Sequence, residues 1–539
     1  MVRSISGLFL LIFSFRLSAE CLPVDEDDPR LQQSGITIGA VEFSRYNVFD
    51  LTEKGIFWLH HFANYSHVIT TEQTVADDLL FTTGEKLDNA VLAETERLLR
   101  GRRYIREADV SVSHYCDQNN TVVVHVSTWD NWSLLPNLDF SSEGGETDYA
   151  IGISEDNLLG TGNQLQLDYN KDNERSGYLL SFASPNVFGT HWNTLTRYEN
   201  NSDGEGYHFT LTRPFYRLSS PWAFSLDLER SKEKLTDYLL GETVNEYDSK
   251  LKWFESELGI KLAQQGNRIH RLNVGLTLED RTFEAIDETF YNLPDARNLS
   301  AIWIEYQLLE ADYRKLFNIN QFNRTEDINL GWQASFRVGH LQHWLGADQS
   351  GWLIKAQLDK VWQLHPDLWF LAQTAYHSLW LSERHRRLLS THLQLVYQIN
   401  PSSSLVGILD AELGNNLFMD EALYLGGDTG MRAYPLHYQR GDSRVIATAE
   451  YRYYTKWSIL QLLDVAFAGF ADAGRSWGAE QEFSSPVDDK ILFGIGTGVR
   501  LLSTHSSRGI MIHLDVAHPI SNNPELDTLQ WRVTAKHRF

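Results

Sequence analysis

The chain has 539 residues, and its 71 acidic residues outnumber its 47 lysines and arginines, which gives a formal net charge of −24 at pH 7. Nucleic-acid binding requires a basic face, so we expect no nucleic-acid partner. Aromatic residues make up 12% of the chain, too many for an acidic disordered protein. The mean hydropathy of −0.34 excludes a bundle of apolar membrane helices but allows a transmembrane β-barrel, whose strands alternate apolar and polar residues.

The first 19 residues have the pattern of a secretory signal peptide. Arg3 precedes an apolar run over residues 8–15, and small residues lead to a cleavage site after Ala19. The apolar run is too short to span a membrane, so we expect residues 1–19 to be removed on export. Cys21 and Cys116 then lie in an oxidising compartment, where a disulfide between them and two free thiols are both open alternatives.

A linker over residues 20–35 leads into a region whose periodicity predicts a small α/β domain over residues 36–132. Alternating apolar residues define its strands, and apolar residues at helical spacing define its helices. In chain order we expect a strand at 36–43, helices at 70–81 and 87–100, and strands at 105–115 and 121–128.

This β-α-α-β-β order resembles a POTRA domain, the periplasmic module that precedes outer-membrane assembly barrels. Gly84, Leu87, Leu98 and residues 104–110 carry the resemblance. It implies that residues 36–132 lie in the periplasm. One departure is the segment over residues 50–69, which is longer and more aromatic than such a module needs.

Residues 133–539 contain short alternating runs and no long amphipathic helix, which predicts an all-β transmembrane antiparallel β-barrel. The last run alternates most regularly: one face carries Leu529, Trp531, Val533, Ala535 and Phe539, and the other is polar. Counting every candidate strand gives about 20, and an even count places both ends of the barrel on one side of the membrane.

With the N-terminal domain in the periplasm, the connections between strands sort by length. Short turns fall on the periplasmic side, at residues 264–267, 365–367, 400–404 and 503–507. Long connections fall outside, at residues 231–249, 281–298, 414–442 and 475–490.

Three motifs in the barrel region resemble the BamA/TamA-like superfamily of outer-membrane insertases, the bacterial surface antigen family. They are the turn at residues 152–163, a loop containing Gly426, Gly427, Gly430, Arg432 and Tyr434, and the run at residues 469–474. The chain is similar to a single-POTRA member, which implies 16 strands. The resemblance also implies that the loop folds into the lumen, where Arg432 pairs with Asp472, with Glu450 as a second nearby acid. An arginine and a carboxylate shielded in a lumen form a forked pair that fixes a loop rather than performs chemistry.

The resemblance implies a factor in the bacterial outer membrane that inserts or translocates client polypeptides. The alternatives are a dedicated secretion pore for one partner protein, and a lipid-handling or structural barrel. The expected partners are an unfolded outer-membrane or secreted client, outer-membrane lipids and a periplasmic accessory protein. Leu529, Trp531, Val533 and Phe539 are expected to form the seam with the first strand and to act as the insertion signal.

Motifs for nucleotide, zinc or nucleophilic-serine chemistry are missing from the sequence. We therefore expect no enzymatic activity, no metal site and no cofactor.

Overall fold

A computed structural model describes residues 21–25, 28–32, 34–52, 55–143, 146–172, 174–478, 485, 489–506, 509–521, 523, 526 and 528–536. The predicted signal peptide, residues 1–19, lies outside these residues. The N-terminal domain consists of β1 Leu22–Pro23, β2 Thr37–Tyr46, α1 Trp58–Ser66, α2 Glu72–Ala76, α3 Asn89–Arg100, β3 Ile105–Cys116 and β4 Thr121–Asp130. No helix in the described part of the chain is long and apolar enough to cross a membrane.

The four strands of this domain form one sheet in the order β1-β3-β4-β2, with β2 parallel to β4. The β-branched residues of β4 point into a core that also contains Ile38 of β2 and Leu99 of α3, both buried. The Asp88 side chain accepts a hydrogen bond from the Ala90 amide and so caps α3. A disulfide joins Cys21 to Cys116 and ties β1 to the end of β3.

Two helices differ from the sequence prediction. The helix expected over residues 70–81 is only the five-residue α2, because the chain turns away after Ala76. Residues 50–69, left without structure by the prediction, contain α1. His60 stabilises its first turn, since its Nδ1 accepts the free amide of Phe57 at 3.1 Å. Helical periodicity did not reveal α1 because its aromatic residues face outward.

The rest of the described chain is almost entirely β-structure. The strands, in chain order, are β5 Leu134–Glu143, β6 Glu146–Glu155, β7 Gln164–Lys171, β8 Ser176–Ser184, β9 Asn193–Asn201, β10 Gly204–Arg213, β11 Trp222–Leu239, β12 Glu242–Gln265, β13 Arg268–Ala285, β14 Arg297–Asn298, β15 Ala301–Glu310, β16 Tyr313–Phe317, β17 Thr325–Asn329, β18 Gln333–Leu341, β19 Gly351–His365, β20 Leu368–Leu381, β21 His385–Asn400, β22 Ser403–Asn415, β23 Leu423–Leu425, β24 Gln439–Gly441, β25 Ser443–Ile459, β26 Leu463–Trp477, β27 Leu492–Ser503, β28 Met511–Pro519 and β29 Gln530–Lys536.

An antiparallel barrel is formed by all of these strands except the two hairpins β16–β17 and β23–β24, and the two-residue β14 pairs only with the end of β13. Twenty long strands therefore close the barrel in the described part of the chain, as the strand count predicted. The 16 strands implied by the family resemblance are wrong, because every long candidate strand finds a barrel partner on both sides. We call the rim that contacts the N-terminal domain the proximal rim and the opposite one the distal rim.

Two connections differ from their expected lengths. Residues 231–249 are not a long loop: β11 and β12 stay paired up to a turn at Leu240 and Gly241. Cross-strand ion pairs such as Lys232–Asp248, at 2.6 Å, stabilise this polar extension, which has no apolar alternation to reveal it. Conversely, residues 311–332 form a long connection at the proximal rim, where only short turns were expected, and contain the hairpin β16–β17.

Candidate functional site

The predicted loop arginine lies inside the barrel between two carboxylates. Arg432 Nε and Nη2 donate to the two oxygens of Asp472 at 2.9 and 2.7 Å, and Nη1 donates to Glu450 at 2.9 Å. Its guanidinium carbon is 3.3 Å from the ring centroid of Phe470. Phe470 and Asp472 share the lumen face of β26, so one strand supplies both an ion pair and a stacking surface.

The two carboxylates are held by further polar groups. Thr448 donates its hydroxyl to Asp472 at 2.9 Å, and Arg452 Nε donates to Glu450 at 2.8 Å. The Arg500 guanidinium is 3.7 Å from Glu450 and is itself paired with Asp515 at 2.6 Å. These charges are almost fully buried and compensate one another, which is the condition under which a shielded ion network persists.

The loop that carries Arg432 is the connection between β22 and β25, residues 416–442, which starts at the distal rim. Within it β23 and β24 pair, and the segment between them descends into the lumen. Gly430 has φ +118°, a backbone conformation that favours glycine. The superfamily that this loop resembles has a glycine at the position of Ala433. Ala433 is almost fully buried and is not among the described residues with positive φ, so alanine fits the backbone here.

The same loop contacts the last strand of the barrel. Arg532 of β29 donates to the carbonyl of Tyr434 at 2.7 Å. A Cβ on Gly427 would lie 1.4 Å from Arg532 Nη2, so only glycine allows this approach. Gly426 precedes this contact, and its carbonyl accepts the amide of Met431 at 2.9 Å. Arg532 was not recognised from the sequence, although its place on the polar face of the last strand is a usable signal.

The distal mouth of the barrel is covered by the β11–β12 hairpin, which reaches the loop from the opposite wall. Arg440 Nη1 donates to Asp237 at 2.8 Å, and both side chains are buried. The rings of Tyr238 and His437 stack at 4.2 Å. This contact is not evident from the sequence, which predicts residues 231–249 to be a long connection rather than a hairpin.

The proximal mouth is filled by the tip of the β16–β17 hairpin. Phe322 is fully buried, and its ring stacks on Tyr454 of β25 with centroids 5.8 Å apart. Ile319 is also buried, and its carbonyl accepts a hydrogen bond from Gln394 of β21. The hairpin tip therefore contacts both β21 and β25 of the lumen wall and closes the proximal end of the barrel.

Helix α3 holds the base of this hairpin. Arg100 Nη2 and Nε donate to the two oxygens of Asp327 at 2.7 and 2.9 Å, and Lys315 contacts Glu96. Burial disfavours the charged form of Arg100, but the hydrogen bonds and negative charges of Asp327 and Glu96 favour it more strongly. The pKa of Arg100 is therefore raised. The N-terminal domain is thus joined by buried charges to the segment that fills the lumen.

Two turns of the proximal rim bind the N-terminal domain in the same way, through the side chain of an asparagine. The Asn157 side-chain oxygen accepts the amide of Gly162, while its nitrogen donates to Val68 and Thr70. This turn is the first family motif. The second turn, residues 186–191, repeats the pattern: the Asn186 oxygen accepts the amide of His191 at 2.7 Å, and its nitrogen donates to Asp78 at 3.0 Å. The shared spacing of asparagine, glycine and threonine in residues 157–161 and 186–190 is the signal that could have revealed the second turn.

Asp78 lies at the centre of this contact. Arg102 Nε donates to it at 2.8 Å, and the Tyr104 hydroxyl donates at 3.1 Å. Burial raises the pKa of Tyr104 well above its ordinary value, and the nearby Asp78 carboxylate adds to the effect. Tyr104 therefore stays a neutral donor, which keeps the Asp78 contact intact.

The seam between the first and last strands is the weakest junction in the described part of the barrel. Val533 opposite Ser142 is the one ladder pair there, whereas β28 pairs with β29 along Gln530–Lys536. Trp531 on the outer face of β29 is exposed, and so is Leu529 immediately before the strand. Phe539, predicted to complete the insertion signal, lies outside the described residues.

Among the described residues, no group of three or more His, Cys, Asp or Glu side chains is placed to hold a metal ion. The buried charges are instead arginine–carboxylate pairs, which hold loops and domains in place.

Comparisons with known proteins agree with this architecture. Residues 157–539 match the Omp85 superfamily domain. The chain is similar to CdiB from Escherichia coli, with a TM-score of 0.50 at 11% identity over 93% of this chain and 76% of that one. It is also similar to CdiB from Acinetobacter baumannii, with a TM-score of 0.45 at 11% identity over 93% and 74% of the two chains. For BamA from Haemophilus ducreyi lacking POTRA domains 1–3, the TM-score is 0.41 at 11% identity over 94% and 86%. A search of curated protein sequences finds no match.

Proposed function

The chain belongs to the Omp85 superfamily of outer-membrane proteins, which insert or translocate polypeptides, and from this premise we propose that it inserts client polypeptides through its seam. In this proposal the proximal rim faces the periplasm, and the N-terminal domain is a single POTRA domain that receives the client. The single observation that carries it is the junction of β5 and β29, which among the described residues is held by one ladder pair, whereas the other neighbouring barrel strands pair over longer ladders.

The closed lumen also supports insertion through the seam rather than passage through the lumen. The β22–β25 loop and the β11–β12 hairpin cover the distal mouth, and the β16–β17 hairpin fills the proximal one. A client that crossed the lumen would have to displace buried ion pairs at both ends. A client that adds strands at the seam instead separates β29 from β5, whose unpaired backbone groups then form a template edge.

The N-terminal sheet offers an edge for capture. β1 pairs with β3 only at Tyr115 and His114, so the outer edge of β3 has no ladder partner over residues 105–112 in the described structure. Asp109 lies exposed in the middle of this edge. An extended client can pair there through its main chain, whatever its sequence.

A disulfide across the seam tests the proposal. Val533→Cys with Ser142→Cys would lock β29 to β5, because these residues are directly opposite in the ladder. The matched control is Val533→Cys with Leu514→Cys, which locks β29 to its permanent neighbour β28. The chain's own two cysteines are already bonded to each other, so the new pair forms separately.

The client is identified first, by photo-crosslinking from Asp109 in cells and mass spectrometry of the captured polypeptide. Its assembly is then measured with the seam locked and after reduction. We expect the seam lock to stop assembly, reduction to restore it, and the β28–β29 lock to have no effect. Normal assembly with the seam locked would contradict insertion through the seam and favour a secretion pore through the lumen.

A further inference from the structure

Helix α1 exposes an aromatic face that the insertion mechanism does not use. Trp58, Phe62 and Tyr65 are 72%, 49% and 89% exposed, and their spacing of four and three residues places them on one side of the helix. The opposite side is fixed: Ala63 is fully buried, and His60 Nε2 donates to the carbonyl of Leu460 at 2.8 Å. The aromatic face is therefore held outward by a contact with the barrel itself.

Three turns of the proximal rim expose large apolar residues in a costly backbone conformation. Leu159, Phe188 and Leu460 have φ of +54°, +52° and +55°, in the left-handed region that L residues avoid. All three side chains are exposed, and Phe188 is 96% exposed. Glycine would adopt this backbone without strain, so packing within the protein does not explain why a large side chain occupies each tip.

The tips and the helix continue the outer wall of the barrel. The outer face of β25 exposes Tyr453, Trp457 and Ile459 in succession. The strand ends at Ile459, and α1 is attached to the next residue, Leu460. Tyrosine and tryptophan are enriched where a membrane-spanning wall meets the lipid headgroups. The position of α1 relative to the bilayer is therefore set by the end of a wall strand.

The distribution of these residues distinguishes a lipid surface from a protein partner. The tips belong to the turns β25–β26, β6–β7 and β8–β9, which lie on both sides of the seam around the rim. A protein partner would have to follow this curved rim to contact all of them, whereas a bilayer contacts them together. A short helix with an aromatic face suits the interface between lipid headgroups and acyl chains.

We propose that α1 and the three turn tips form an interfacial anchor that lies in the phospholipid of the membrane leaflet at the proximal rim, around the base of the seam. This inference rests on membership of the Omp85 superfamily and does not depend on which client the protein handles. It assigns a role to residues 50–69, the aromatic segment that exceeds an ordinary POTRA domain.

The test uses nitroxide labels on the full chain in nanodiscs of phosphatidylethanolamine and phosphatidylglycerol. Tyr65→Cys and Phe188→Cys each place one label on the proposed anchor. Gln118→Cys is the control, because Gln118 is exposed in the β3–β4 turn, at the end of the domain far from the barrel. Collision of each label with oxygen, which concentrates in lipid, is compared with collision with a water-soluble nickel chelate.

We expect the oxygen-to-nickel collision ratio at Tyr65 and Phe188 to exceed that at Gln118 by several-fold. A ratio equal to that at Gln118 would overturn the anchor, because the face would then lie in water. Protection from both reagents would also overturn it and would indicate a second copy of the chain on this surface.

A second variant separates anchoring from folding. Phe188→Gly removes the exposed ring and relieves the left-handed backbone, so the purified protein in detergent should unfold at the same or a higher temperature than the parent. In nanodiscs the label at Tyr65 should then show a lower oxygen-to-nickel ratio, because the proposed anchor has lost one of its attachments to the lipid. Lower thermal stability in detergent would show that Phe188 serves the fold and would overturn its role as an anchor.

Discussion

Removing Arg432 should release the lumen loop while leaving the barrel intact. In Arg432→Ala the Asp472 carboxylate, about 1% exposed, keeps only the hydroxyl of Thr448 as a described donor. Glu450 still accepts a hydrogen bond from Arg452, so the loss of free energy comes mainly from the Asp472 carboxylate. Breaking a buried ion pair by removing one partner costs about 3–5 kcal/mol. Loss of the contact with Phe470 adds roughly 1 kcal/mol, so we expect loop docking to weaken by at least about 4 kcal/mol.

Replacing Asp472, the partner of Arg432, should weaken loop docking less than replacing Arg432. In Asp472→Ala the guanidinium of Arg432 loses two hydrogen bonds but keeps Glu450 at 2.9 Å, so we expect a loss of about 2 kcal/mol. The double variant should cost less than the sum of the two single changes, by roughly 2 kcal/mol, because the second change removes a partner that has already been left unpaired.

Hydrogen exchange of the loop amides in detergent-solubilised full chain measures this directly. A loss of about 4 kcal/mol corresponds to a reduction in protection of the order of 10³ at Gly426–Tyr434, with the β25–β26 ladder unchanged. Arg475→Ala is the control, because Arg475 lies on β26, the strand that carries Asp472, and forms an exposed pair with Asp489. This change should alter the free energy of loop opening by less than about 0.5 kcal/mol. If Arg432→Ala left the exchange of the loop unchanged, the loop would not depend on this pair and the reasoning would be wrong.

Three further predictions concern the last residue and the docked domain. Deleting Phe539 should leave the protein unassembled in the periplasm, seen as loss of the folded, heat-modifiable band. Arg100→Ala and Asp327→Ala should each speed proteolysis of residues 311–332 about tenfold or more, since either change breaks the same buried pair. Burial lowers the pKa of His505 from its ordinary value of 6.5 to about 3, so we expect docking to be strongest above pH 6.5 and to weaken as the pH falls. At pH 5 the loss is about 2 kcal/mol, measurable as faster proteolysis of the domain, and His505→Asn should remove this dependence.

The fold could be predicted from the sequence where each strand has one lipid-facing and one lumen-facing side. β29 shows this most directly: Trp531 is exposed on the outer wall, and Arg532 is buried in the lumen. The ion pair of Arg432 with Asp472 could be placed for a related reason. The two residues lie in separate motifs that the family resemblance brings together, and alternation along residues 469–474 directs Asp472 inward.

The parts that the sequence did not reveal are those whose stabilisation comes from distant segments. The β11–β12 extension is polar on both faces and depends on cross-strand ion pairs and on Arg440, about 200 residues away along the chain. The β16–β17 hairpin depends on Arg100 of α3 and on the lumen wall around Phe322. A local pattern cannot show such contacts, because neither segment carries a periodicity that distinguishes it from an exposed loop.

These distant contacts also determine what opening the seam requires. On one side of the seam, the turns at Asn157 and Asn186 hold the N-terminal domain. On the other side, the same domain is held by His60 against Leu460 and by Trp132, whose amide donates to the carbonyl of His505 at 2.7 Å. The domain therefore bridges the base of the seam, and β29 cannot move away from β5 at the proximal rim while both sets of contacts persist. We expect the contacts at Leu460 and His505 to break first. They consist of one hydrogen bond to each turn and the stacking of Phe49 on His505, whereas the turns at Asn157 and Asn186 each form several hydrogen bonds with the domain. A client that displaces the domain, or a fall in pH that protonates His505, would then loosen the seam without disturbing the Arg432 network that fixes the loop in the lumen.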